Sequence, residues 1–133
     1  MKFKRGYKYQ LAESEVFQTR MRPEQDIRTA FLRLKTSREM KVFASYAWDG
    51  ASGPAWDSQS NYRGSLGHDC EAQIIRMGLL PQSARIASNK DLYDWCVEDG
   101  MWRIRAKAWK IALDKFGAPS TNPKNQRKVY EAP

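Results

Sequence analysis

Three shortages frame this 133-residue chain: one histidine, two cysteines, and 15 acidic residues against 23 basic ones. His68 is the lone imidazole, so any histidine chemistry belongs to it, and Asp69 follows it directly. Cys70 and Cys96 share no Cys-x-x-Cys spacing and do not make a zinc site. Both fall on apolar helix faces in the reading below, where a reduced thiol behaves as a small hydrophobe. No stretch approaches about 18 uninterrupted apolar residues, which excludes a membrane-spanning helix. The basic start Met1-Lys2-Phe3-Lys4-Arg5 has no apolar run after it, so a signal peptide is not expected. The chain is expected to stay in the compartment where it is made. No internal repeat is present, and no helix-turn-helix, zinc module or RNA-binding signature supports direct nucleic-acid binding.

What is present points to a folded domain. Hydrophobic residues make up 41% and aromatics 12%, too apolar for a disordered chain. The length suits a single domain, 1–133, with one core. The net charge of +8 and a pI near 9.7 favour an anionic partner: nucleic acid, an anionic lipid surface or an acidic protein. Much of the excess lies between residues 101 and 116, where Arg103, Arg105, Lys107, Lys110 and Lys115 oppose only Asp114. Arg103, Arg105, Lys107 and Lys110 are the candidate binding face; the alternative is a solvated helix surface.

The hydropathy pattern changes period midway. Residues 1–48 read as two β-hairpins. In YKYQLAESEVFQTRM (7–21) alternation flanks a polar AESE turn. In RTAFLRLKTSREMKVFASYAW (28–48), Phe31, Leu32 and Leu34 lead into KTSRE, and Val42, Ser45 and Tyr46 return. Residues 49–62 are Gly, Asp, Ser and Pro-rich and read as a loop. Residues 63–117 read as three helices. Ser65 is the candidate N-cap of the first, with Leu66, Cys70, Ile74 and Met77 on one face and Gly78 and Pro81 ending it. Ser88 and Asp91 make a capping-box-like start for the second, whose stripe is Leu92, Trp95 and Cys96 and which Gly100 ends. Trp102, Ala106, Trp109 and Leu113 form the core stripe of the third. Residues 118–133 are a polar, Pro-broken tail. The class is α+β: a small N-terminal antiparallel sheet packed with three C-terminal helices.

With Ser65 as N-cap, His68 lies in the first helical turn and Asp69 beside it, pointing about 100° away. A basic imidazole needs a carboxylate to hold its tautomer, and Asp91 and Asp94 on the next helix are the candidates. Antiparallel helices would put the two starts at opposite ends, so this contact calls for an offset. The preceding loop has glycines that let backbone approach a ligand, and Asp49, Asp57 and Asp69 are carboxylates for a hard cation. The plainer readings are a polar helix start for His68-Asp69 and a simple connector for the loop.

From about residue 46 to 117, the segments YAWDGASGPAWD, RGSLGHDCEAQIIRMGLLP, NKDLYDWCVEDGM and a closing FG resemble a family of small, functionally uncharacterised proteins of tailed phages and prophages. That family's pattern is a Gly/Ala/Ser/Pro loop, a His-Asp-x-x-Tyr run, an Ala-Asp-x-x-x-Phe helix and an aromatic-rich helix. The resemblance covers His68, Asp69, Asp91 and the loop residues Asp49, Gly50, Ser52 and Pro54. Its His-Asp-x-x-Tyr run is in turn similar to the catalytic helix of phospholipase A2 enzymes, although here Ala72 or Gln73 follows where tyrosine is expected. The resemblance implies His68 as base, Asp91 as its orienting carboxylate, and Ca²⁺ held by Asp69 with Asp49, Gly50 and Gly53. It implies a lipid-ester hydrolase acting on host membrane or aiding lysis, in the host cytoplasm or from the virion. The alternative is a non-enzymatic phage protein that binds a host factor, a virion component or nucleic acid through its basic face.

Overall fold

The computed structural model describes residues 3–4, 9–48 and 59–116, which fall into a compact unit of strands and a compact unit of helices. The class is α+β, strands first.

In chain order the strands are β1 (Phe3–Lys4), β2 (Tyr9–Leu11), β3 (Glu15–Gln18), β4 (Ile27–Arg28), β5 (Leu32–Leu34), β6 (Glu39–Val42) and β7 (Ala47–Trp48). They build two antiparallel sheets, ordered β1-β2-β7 and β3-β6-β5-β4. The hairpin expected over 28–48 forms. β5 and β6 pair with Leu34 opposite Met40, and the turn closes through Lys35 N–H to the Glu39 carbonyl (2.9 Å), with Arg38 in the left-handed region at φ 70°. Residues 7–21 do not form a hairpin. β2 pairs with β1 and β7, whereas β3 pairs with β6. The cause is side-chain pairing. On β3 only Phe17 is fully buried, and its register partner Met40 is fully buried too, whereas Val16 is half exposed. Joining β6 therefore completes an apolar row, Phe17–Met40–Leu34–Ile27, that pairing with β2 would leave open. Leu11 exchanges backbone bonds instead with Ser45 and Tyr46 (2.6 and 2.8 Å).

The helices are α1 (Gln59–Arg76), α2 (Ala84–Glu98) and α3 (Arg103–Phe116). α1 starts well before Ser65, so residues 59–62 are helical rather than loop. Ser65 is an interior residue whose Oγ donates to the Tyr62 carbonyl (3.0 Å), not an N-cap. The weak helix formers Gly64 and Ser65 are tolerated because both are buried, and at Gly64 close packing needs a missing side chain. A Cβ there would lie 2.6 Å from Cys96 Sγ and 3.3 Å from Leu92 Cδ1. α2 likewise starts at Ala84, so Ser88 is interior and the expected Ser88/Asp91 cap does not exist. The predicted stops hold. Gly78 (φ 78°) and Gly100 (φ 99°) both take the left-handed conformation. At each, the glycine N–H and the next N–H bond back to carbonyls of the last turn: Ile75 and Ile74 for α1, Val97 and Cys96 for α2.

α2 packs against both α1 and α3. Leu92 and Cys96 meet Met101, Ala106 and Trp109, with Tyr93, Val97 and Leu113 around them. Leu66, Cys70, Ile74, Trp95 and Trp109 are buried as expected. Two expected core residues are not: Met77 is 39% exposed and Trp102 84% exposed, because the helix ends turn them outward. No described helix is long and apolar enough to cross a membrane.

Candidate functional site

Contacts down the α1–α2 seam run in opposite directions along the two helices. Near the start of α1, Arg63 reaches Glu98 and Asp99 at the end of α2 (3.4 and 3.8 Å), and Gly64 faces Cys96. Farther along, His68 meets Asn89 and Glu71 meets Ser88. The helices are therefore antiparallel. Because both begin earlier than their serines suggest, His68 and Asn89 sit in helix interiors and meet without any offset.

The seam changes character along its length. Around Gly64, Leu92 and Cys96 its buried groups are apolar, with the Arg63 ion pairs beyond them; at the Ser88 end it is polar and buried. Glu71, Ser88 and Asn89 are all at most 1% exposed. Buried polar groups are costly unless paired, and here they are paired. The Ser88 hydroxyl donates to Glu71 Oε1 (3.3 Å). His68 Nε2 lies 2.8 Å from Asn89 Oδ1, and Asn89 Nδ2 donates to Asp114 Oδ1 at 2.8 Å. Lys110 Nζ bonds the other Asp114 oxygen (2.7 Å), and Arg85 Nη2 donates to the Asp114 carbonyl (3.1 Å). One chain of hydrogen bonds thus runs from α1 through α2 to α3.

Its direction is determined by chemistry. The Asp114 carboxylate accepts only, so the Asn89 amide must turn its NH₂ there and its oxygen toward His68. His68 Nε2 must then carry a proton, and in the neutral ring Nδ1 holds the lone pair. Burial lowers the His68 pKa below 6.5. The Asn89 bond and the charges of Asp69 and Asp91 push it back up without overcoming that. At Asp114, burial pulls the pKa upward, but the hydrogen bonds from Lys110 and Asn89 and the charges of Lys110 and Arg85 hold the carboxyl below its usual range. The result is a half-buried neutral imidazole with a fixed tautomer.

The expected site residues are distributed as follows. Asp91 is buried and its charge acts on His68, but the residue bonded to the ring is Asn89. The orienting group is therefore an amide backed by a carboxylate on a third helix. Asp69 is half-buried beside His68. Asp49, Gly50, Ser52, Gly53, Pro54 and Asp57 lie outside the described residues. Among the described residues no three His, Cys, Asp or Glu side chains converge as a metal site. Of the basic face, Arg103 and Lys107 are exposed, Arg105 is half-buried, and Lys110 is committed to Asp114. Cys96 is fully buried, and burial pushes its thiol up to about 12, with Asp99 adding to the rise and Arg105 opposing it.

Sequence reasoning missed Asn89 and Asp114. A signal for Asn89 exists: Arg85, Asn89, Leu92 and Cys96 share one helical face that is polar at one end, matching Gly64, His68, Glu71 and Ile75 on α1. Asp114 has the weaker signal of being the lone acid among five cations. Comparison of the chain with protein-family models, with curated proteins and with solved structures finds no match.

Proposed function

We propose that this chain is a small phage-encoded hydrolase of lipid esters, acting in the host cytoplasm or from the virion, with His68 as general base. The observation that carries the proposal is the His68–Asn89–Asp114 chain, which fixes a neutral imidazole with one nitrogen protonated and the other basic. In the reaction, His68 Nδ1 takes a proton from water as the water oxygen bonds to the ester carbonyl carbon. The tetrahedral intermediate then collapses, the ester C–O bond breaks, and the imidazolium returns the proton to the departing alkoxide. Asn89 cannot accept a proton. Its role is positioning, and its amide dipole, together with Asp114, Asp69 and Asp91, favours the transient positive ring. Calcium at Asp69 belongs to the same proposal; it would stabilise the developing oxyanion, and a calcium-dependent rise in melting temperature checks its binding directly.

The test is fatty-acid release from anionic vesicles. His68→Ala is expected to abolish release while the circular dichroism spectrum is retained, and Asn89→Ala to reduce it by about 10–100-fold with a shifted pH profile. Undiminished release by His68→Ala ends the proposal.

The exposure of Arg103 and Lys107 favours a second reading, a non-enzymatic phage accessory or virion protein binding a host factor, a virion component or nucleic acid. That reading expects steep salt dependence and loss of binding on charge reversal of Arg103 and Lys107, with His68 irrelevant.

A further inference from the structure

We infer that the outward face of α3, with Trp102 ahead of it, docks on the surface of an anionic membrane. α3 is apolar on two sides. One side, Ala106 and Trp109 with Leu113, is consumed by α2. The other is left in water: Ile104 is 86% exposed, Ile111 41%, and Trp102, just before the helix, 84%. Residues seven apart on a helix point within about 20° of each other, so Ile104 and Ile111 form one ridge with exposed Ala108 between them. Exposed Arg103 and Lys107 lie along one side of that ridge and exposed Lys115 at its C-terminal end. The one acid of the helix does not offset them, because Asp114 is tied to Lys110 and Asn89.

The side-chain chemistry selects the occupant. Isoleucine has no π face to stack on a base and gains nothing from a sugar-phosphate backbone, so the ridge is poorly suited to nucleic acid. It does suit the boundary of headgroups and acyl chains. Aliphatic side chains enter the hydrocarbon edge, a tryptophan ring sits at headgroup level, and lysine and arginine meet anionic headgroups. The charge complementarity selects anionic over zwitterionic lipid. As an account of how the His68 site would reach lipid esters this rests on the function proposed above; the docking itself does not.

The probe is co-sedimentation of the full chain with phosphatidylglycerol vesicles and, separately, phosphatidylcholine vesicles, alongside quenching of Trp102 fluorescence by brominated lipid. Wild type is expected to bind the anionic vesicles at least about tenfold more strongly, with quenching that Trp102→Phe removes. The pair Ile104→Gln/Ile111→Gln is expected to lose about tenfold or more at every salt concentration, and Arg103→Gln/Lys107→Gln to lose binding mainly at low salt. These side chains are exposed, Ile111 the least so at 41%, and an unchanged far-ultraviolet circular dichroism spectrum is expected for each variant. The inference is overturned if wild type ignores anionic vesicles or if the isoleucine pair binds as wild type does. It is also overturned if the ridge instead drives self-association in sedimentation velocity, or if a single-stranded oligonucleotide competes the protein off the vesicles. Retained vesicle binding by His68→Ala with undiminished fatty-acid release would refute the hydrolase reading alone. Release from a soluble ester without vesicle binding would refute the docking alone.

Discussion

At the residue scale, Asn89 satisfies a requirement that no carboxylate could. It must donate to Asp114 and accept from His68, which an amide does and an ionised carboxylate cannot. An aspartate at 89 would set two carboxylates 2.8 Å apart, so Asn89→Asp is expected to destabilise the fold by several kcal/mol near neutral pH, on the order of the cost of an unpaired buried charge. Urea unfolding at pH 7 reads this directly. The pH dependence of the wild type follows from His68. Burial lowers its folded pKa, while the unfolded chain protonates near 6.5. Above 6.5 both states are neutral and the stability is intact. As pH falls below 6.5 the unfolded state binds a proton that the folded state resists, so stability falls until the folded pKa is reached. His68→Gln keeps a side-chain N–H and removes the titration. The loss of stability between pH 7.5 and pH 5 is expected to be smaller in this variant, and an equal loss would show that His68 does not carry it.

At the element scale, the closest approach of α1 to α2 is at Gly64. Alanine there gains about 1 kcal/mol in helix propensity. It also forces a methyl to 2.6 Å from Cys96 Sγ, and such overpacking typically costs about 1–3 kcal/mol. The sterics win, so Gly64→Ala is expected to destabilise by roughly 1 kcal/mol in urea titration. In a Cys96→Ala background the obstructing sulfur is gone and Gly64→Ala is expected to stabilise, the sign reversal being the readout. The same glycine explains why the start of α1 is misread from sequence. Propensity counts Gly64, Ser65 and Gly67 as breakers, and nothing local says that small residues here let a second helix approach. The helix ends were legible because Gly78 and Gly100 act locally, through φ alone. The 28–48 hairpin was legible for a similar reason, with its turn and apolar alternation adjacent in sequence. The pairing of β3 with β6 was not, since Phe17 and Met40 are brought together by burial and not by a turn. The candidate site divides along the same line. His68 and Asp91 stand out by residue type, whereas Asn89 and Asp114 matter only through contacts between helices.

At the scale of the whole molecule, the +8 charge is placed more than it is neutralised. The described ion pairs Lys35–Glu39, Arg63–Glu98, Arg63–Asp99 and Lys110–Asp114 all keep partial exposure, where a pair contributes about 0–1 kcal/mol. Against them stands a cross-strand row of like charges in the four-stranded sheet. Arg33 faces Lys41 on one side and Arg28 on the other, and the Arg33 Nε is buried with no hydrogen-bond partner. Like charges directly opposite each cost about 0.2–1 kcal/mol, and the net charge of +8 adds self-repulsion across the whole chain. Raising NaCl from about 0.01 M to about 0.15 M shortens the screening length from about 30 Å to about 8 Å and weakens both. The melting temperature is therefore expected to rise with salt, as it does when self-repulsion dominates. Arg33→Thr removes both like-charge contacts and suits a strand. It is expected to stabilise the protein by on the order of 1 kcal/mol at low salt and to flatten the salt response. A wild-type melting temperature that falls with added NaCl would show the ion pairs outweighing the repulsion and would reverse this argument.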